Sequence, residues 1–327
     1  MPAVEKAGPL RALRFFRLAF FLIVVLAGLR FSTTPAGAAD ESTNDFTLAT
    51  ARLLAEKGNA KAQFFMAKFY AKGDGVPQDF TKAVEFYRRS AAQGYSKAQN
   101  NLGALYARGL GVTQDFSEAL KWFGKAAEQG DPAGEFSFGL YHELGLGVAT
   151  NKAEALKWYQ KAAEQNQPDA ELALGNLYLL GDKDLGIKVD LKKSLPWLEK
   201  AAAQGSVAAC NSLGFLYECG GSGVDKDEHA ALKWYRQAAE GNDGRGQMNL
   251  GRFYLEGRSV DKDLVEAYKW FFLASRNGAG VAQHFLLGMR GELPMDDFVK
   301  HPLTEEQIKE ALQRARDAEK TLRKASK

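Results

Sequence analysis

Few residues of this chain have the type and spacing that chemistry requires. The four histidines, His142, His229, His284 and His301, show no metal-ligand spacing and no pairing with cysteine or aspartate. Cys210 and Cys219 lie nine residues apart. On one helix that is about 13 Å of rise, whereas a disulfide holds its Cα atoms within about 7 Å. Both are expected to be unpaired and mostly buried. Ser259-Val-Asp-Lys262 has the Ser-x-x-Lys spacing at which a lysine activates a serine for acyl transfer, provided the motif opens a helix. Here it falls in a turn, and Val224-Asp-Lys-Asp227 fills the same slot of a neighbouring segment without the serine. No catalytic residue, metal site or cofactor is expected.

What must position these residues is a repeat. Ala98 to Gly130 reads AQNNLGALYARGLGVTQDFSEALKWFGKAAEQG, and its skeleton returns along the chain. Its first glycine falls at Gly103, Gly139, Gly175, Gly214 and Gly251, and its tryptophan at Trp122, Trp158, Trp197, Trp234 and Trp270. The two registers move together with a period of about 36 to 39 residues, which is the signature of stacked helical hairpins. An earlier copy carries Ala67 and Phe86 at these places.

Each copy predicts two helices. In the first, Leu102, Leu105 and Tyr106 form an apolar stripe, and Gly103 implies close approach of the second helix, since a mid-helix glycine otherwise costs about 1 kcal/mol. Gly109 and Gly111 end that helix, glycine accepting positive φ. Asp79, Asp115, Asn151, Asp190, Asp227 and Asp263 are the expected N-caps of the second helices. Ala119, Trp122, Phe123 and Ala126 are its expected buried face. The fourth copy departs from the rest, with inserted residues 181–186 and Pro196 inside its second helix, where a kink is expected. Past Gly278 the pattern decays, and Thr304-Glu-Glu-Gln307 is a capping box before a charged terminal helix.

The first 39 residues read as a targeting segment. Arg11, Arg14 and Arg17 precede a 12-residue apolar run, Leu18 to Leu29, followed by Ala36-Gly37-Ala38. A spanning helix needs about 20 residues, so a signal peptide cleaved near Ala38 or Ala39 is expected, the alternative being an uncleaved signal-anchor. The mature chain is then periplasmic or secreted, or anchored with its repeats outside. Residues 1–38 hold five basic residues and one acidic, so the net charge of +3 becomes −1 for the remainder. Nucleic acid, which needs a basic stripe, is excluded as an expected partner.

The pattern A-x3-LG-x-LY-x2-G-x-GV-x2-D-x3-A-x2-W-x3-AA at residues 98–127 resembles the Sel-1-like repeats, relatives of the tetratricopeptide repeats. The resemblance implies an all-α fold, a right-handed α-α superhelix of hairpins. Residues 40–57 then form an N-terminal cap, six repeats follow (58–93, 94–129, 130–165, 166–204, 205–240, 241–277), and 278–327 is a degenerate repeat with a C-terminal cap. It also implies a protein-binding scaffold or adaptor and no chemistry. Function is expected where copies differ, and before the Leu-Gly pair stand Asn101, Ser212 and Asn249, the expected lining of a groove that bonds a partner's backbone. The competing function is a cell-wall-related hydrolase, after the β-lactamase-like activity suggested for cysteine-rich relatives. The disulfides of those relatives are not expected here, because Ala202 stands where Cys210 would need its partner.

Overall fold

The computed structural model describes residues 46–221, 223–293 and 301–325. The targeting segment at 1–39 lies outside the described residues, as do Pro294 and the side chain of Leu322. Fifteen α-helices and no β-strand occur among the described residues. The chain divides into two compact units at Leu174/Gly175.

The first unit opens with α1 (Leu48–Glu56). Hairpins follow as α2 (Ala60–Lys72) with α3 (Phe80–Ala92), α4 (Ser96–Arg108) with α5 (Phe116–Glu128), and α6 (Pro132–Leu144) with α7 (Lys152–Glu164). α8 (Pro168–Leu180) carries the unit boundary, and α9 (Leu191–Ala203) completes the fourth hairpin. The second unit continues with α10 (Val207–Cys219) and α11 (Glu228–Glu240), then α12 (Gly244–Glu256) and α13 (Leu264–Arg276). α14 (Ala282–Met289) and α15 (Glu305–Ala325) close it. Within each unit a helix packs on its hairpin partner and on the next hairpin, the arrangement of an α-solenoid.

Local chemistry sets these boundaries. Every expected N-cap accepts from the amide three residues on, as Asp115 Oδ1 does from Glu118 N at 2.9 Å. Gly73, Gly109, Gly145 and Gly257 end their helices in the left-handed region. Thr304 and Gln307 bond reciprocally, Thr304 N to Gln307 Oε1 at 3.0 Å and Gln307 N to Thr304 Oγ1 at 3.2 Å, so the capping box is real. The mid-helix glycines answer a steric demand. A Cβ on Gly103 would stand 2.8 Å from the Phe123 ring, and one on Gly214 would stand 2.5 Å from that of Tyr235.

Two expectations need correction. The tryptophans are not the centre of the buried face. Only Trp270 is buried, and the residue that meets the glycine is the next one, Phe123, Tyr159, Leu198, Tyr235 or Phe271. One residue is about 100° of helical rotation, enough to move the indole to the flank, where the N–H of Trp122, Trp158 and Trp270 finds a glutamate. Cys219 is exposed while Cys210 is buried, because Cys219 is the last residue of its helix, where packing ends. α9 spans Leu191 to Ala203 with Pro196 inside it.

Candidate functional site

The residues expected to line a groove are mostly spent inside the fold. Ser212 and Asn249 are each 5% exposed. Ser212 Oγ donates to Asn176 Oδ1 of the preceding first helix at 2.8 Å, and Asn249 Nδ2 donates to Asn211 Oδ1 at 2.9 Å. These two join first helices of neighbouring hairpins and do not offer groups to a partner, which corrects the groove expectation for both. The positions sit one residue before the Leu-Gly pair, so helical rotation aims them at the adjacent first helix and not outward. Asn101 is half-buried and donates to the Tyr87 hydroxyl at 3.2 Å. Asn101 belongs to the first unit, Ser212 and Asn249 to the second.

A second recurring bridge was missed in the sequence. Gln129 Nε2 at the end of α5 donates to Gln99 Oε1 at 2.6 Å, and Gln99 Nε2 donates back to the Ala91 carbonyl of the previous hairpin at 3.2 Å. Gln93 and Gln63 repeat this in the first hairpin, and Asn277 and Gln247 in the sixth. The signal was present, a Gln or Glu four residues before every motif glycine but Gly214. Hairpin five replaces both members at once, with Cys210 on the first helix and Gly241 after the second.

The residues considered for chemistry do not assemble. His142 packs its ring edge-on against Phe138 at 4.6 Å, as a substitute for the tyrosine of other copies. Ser259 sits in the turn between α12 and α13 with φ 54°, not at a helix start. Among the described residues no group of histidine, cysteine and carboxylate side chains is placed to hold a metal ion.

Two charged features of the second unit stand out among the described residues. Glu218 accepts from Tyr235 Oη at 2.7 Å, Arg252 Nη2 at 2.8 Å and Arg258 Nη1 at 2.6 Å. Burial pushes the Glu218 carboxyl up, but Arg252, the tyrosine hydroxyl and Arg258 outweigh it and hold it below the usual glutamate range. Arg258 also reaches Glu228 at 3.0 Å; hydrogen bonds from Lys226 and Arg258 hold that carboxyl at about 2.

The other feature is a cleft of about 540 Å³ on the fourth hairpin, walled by Tyr178, Pro196 and Trp197 and rimmed by Lys192, Lys193 and Lys200. Its one acidic lining residue, Asp190, is engaged as the cap of α9 and lies 3.6 Å from the Lys193 ammonium.

Comparison with known proteins agrees with this architecture. The Sel1 repeat profile matches residues 60–95, 96–131, 133–167, 168–206, 207–243 and 244–278. A search of curated proteins finds no match. Among solved structures, a Sel1 repeat protein from Oxalobacter formigenes shares 32% identity over 77% of this chain and 96% of its own, with a TM-score of 0.64. The protective antigen c5321 of uropathogenic Escherichia coli, which displays an SLR fold, shares 33% identity over 85% of this chain, also with a TM-score of 0.64. The chain spans 59% of that antigen's length. With six matched repeats and this hairpin geometry, the chain belongs to the Sel1 repeat family.

Proposed function

We propose that the chain is an exported scaffold that binds a protein partner and performs no catalysis. One observation carries the reading: the polar side chains that recur from hairpin to hairpin are spent on caps and on bridges within and between hairpins. What recurs is therefore framework, and what varies is surface, the division of labour that repeat arrays use for recognition. Export rests on the basic flank and short apolar run of residues 1–39. Asn101, the half-buried member of the expected groove, stays a contact position in this reading.

The test is affinity capture from native cells with the tagged chain, joined to N-terminal sequencing of the mature protein. A protein partner retained in near-equal amount and a mature N-terminus at Ala39 or Asp40 are expected. A folded bait that retains no protein overturns the scaffold reading. An unprocessed N-terminus on the cytoplasmic side overturns export.

A further inference from the structure

The tryptophans of three hairpins belong to a closed polar unit. Trp122 Nε1 donates to Glu118 at 2.9 Å, Trp158 Nε1 to Glu154 at 2.9 Å and Trp270 Nε1 to Glu266 at 3.0 Å, in each case one turn back. The same carboxylates pair with Lys121 at 3.3 Å, Lys157 at 3.1 Å and Lys269. A lysine ammonium also lies over each ring, Lys125 over Trp122 at 4.2 Å and Lys161 over Trp158 at 3.8 Å. Indole N–H, carboxylate and ammonium satisfy one another on a single helix face.

Hairpin four keeps two of these parts and inverts the third. Lys200 still covers the Trp197 ring at 4.9 Å. Where the other hairpins place glutamate, however, there is Lys193, and where they place the paired lysine there is Pro196. Among the described residues the Trp197 N–H has no acceptor on the chain. Pro196 further deprives the Lys192 carbonyl of its helical donor. This is the place where the surface opens into the cleft. Hairpin one also carries a lysine at the glutamate place, Lys82, but its ring is Phe86, which has no donor; hairpin five has Trp234 with Ala230 in place of the lysine. Hairpin four alone among the six joins an unused indole donor, a lysine at the carboxylate's place and an open cavity.

We propose that this cleft docks an acidic peptide segment of the protein partner, whose glutamate or aspartate supplies in trans the carboxylate that the other hairpins carry in cis. The incoming carboxylate accepts from the Trp197 indole and from the Lys193 ammonium, while an apolar neighbour rests on Pro196 and the Tyr178 ring. Charge complementarity identifies the occupant. Three exposed lysines face one aspartate that is already engaged, and oppositely charged surfaces select and steer such partners. The apolar walls favour a peptide over a bare anion, and the internal precedent at Glu118 is a carboxylate. The proposal rests on the scaffold reading and adds its recognition chemistry.

The test follows the five indole N–H signals of the ¹⁵N-labelled chain, with Trp197 assigned through Trp197→Phe. The probe is the peptide acetyl-Ala-Leu-Glu-Leu-Glu-Ala-amide, beside its Gln-for-Glu twin and inorganic phosphate. A saturable shift of the Trp197 signal is expected with the acidic peptide, with affinity about tenfold or more weaker for the twin, as loss of charge-assisted hydrogen bonds requires. Lys193→Glu rebuilds the internal unit without enlarging the core. Its Trp197 signal should move towards those of Trp122, Trp158 and Trp270, and peptide binding should fall by about the same factor. Equal response to both peptides, unchanged binding by Lys193→Glu, or phosphate displacing the peptide at equal concentration overturns the proposal. A partner captured equally by wild type and Lys193→Glu overturns the cleft alone and leaves the scaffold reading standing.

Discussion

At the scale of single residues the fold is governed by which polar groups are buried and what they meet. The tyrosines that face a motif glycine show this. Tyr159 donates to Glu143 at 2.6 Å and Tyr235 to Glu218 at 2.7 Å, both glutamates four residues beyond the glycine. Where the facing residue is Phe123, Leu198 or Phe271, that place holds Ala107, Leu179 or Leu255. Opposite these glycines a hydroxyl is matched by an acceptor, and a ring without one by an apolar neighbour. Glu218→Gln removes the charge that holds Arg252 and Arg258 and should cost about 1.5–3 kcal/mol in urea unfolding at neutral pH. The folded-state carboxyl titrates below its unfolded value, so its contribution is complete above the ordinary glutamate value, about 4.3. It is lost as pH falls through the lower folded value. The gap between wild type and variant should therefore be constant from pH 7 to about 5.5 and close only in more acid solution, as the folded carboxyl takes up its proton. The cysteines give a simpler check. Burial pushes both thiols up to about 11, so access separates them: exposed Cys219 should react with a thiol reagent in the native chain, and buried Cys210 only on unfolding.

At the scale of the helical hairpin, two features decide stability, the glycine contact and the amide bridge. Gly214→Ala would place a Cβ 2.5 Å from the Tyr235 ring, inside a helix pair with no room to part. A loss of about 1–3 kcal/mol in thermal or urea unfolding is expected. Gln129→Ala leaves the buried Gln99 Oε1 without its donor and should cost about 1–2 kcal/mol. In a double-mutant cycle with Gln99→Ala, the two changes should couple by about 0.5–3 kcal/mol, as residues in one network do; additivity would mean the bridge does not hold the hairpin closed. The glycine contact was legible from sequence because a helix-breaking residue recurring inside a helix demands a cause. The amide bridge was not read, because a single Gln or Glu per repeat resembles an ordinary solvated position until the packing places it at the seam.

At the scale of the whole chain, period, capping residues and apolar stripes were enough to read the family architecture, since each is set within one repeat and then copied. The site was less legible. Asn101, Ser212 and Asn249 read as surface in the sequence because the position varies, yet Ser212 and Asn249 bond across first helices, a relation 36 to 38 residues long in sequence. The cleft of hairpin four was visible only in part: Pro196 stood out as a helix breaker, whereas the reversal from glutamate to Lys193 matters only once the indole partner of that glutamate is known. The missing bridge at hairpin five has a mechanical meaning. Where Gln247 ties α12 to the carbonyl of Ala239 on α11, Cys210 offers α9 no such tie. Stretched between its ends in an optical trap, the chain should rupture at the junction of α9 with α10 at lower force than at the junction of α11 with α12. Cys210 would then become reactive under load, a thiol that reports tension.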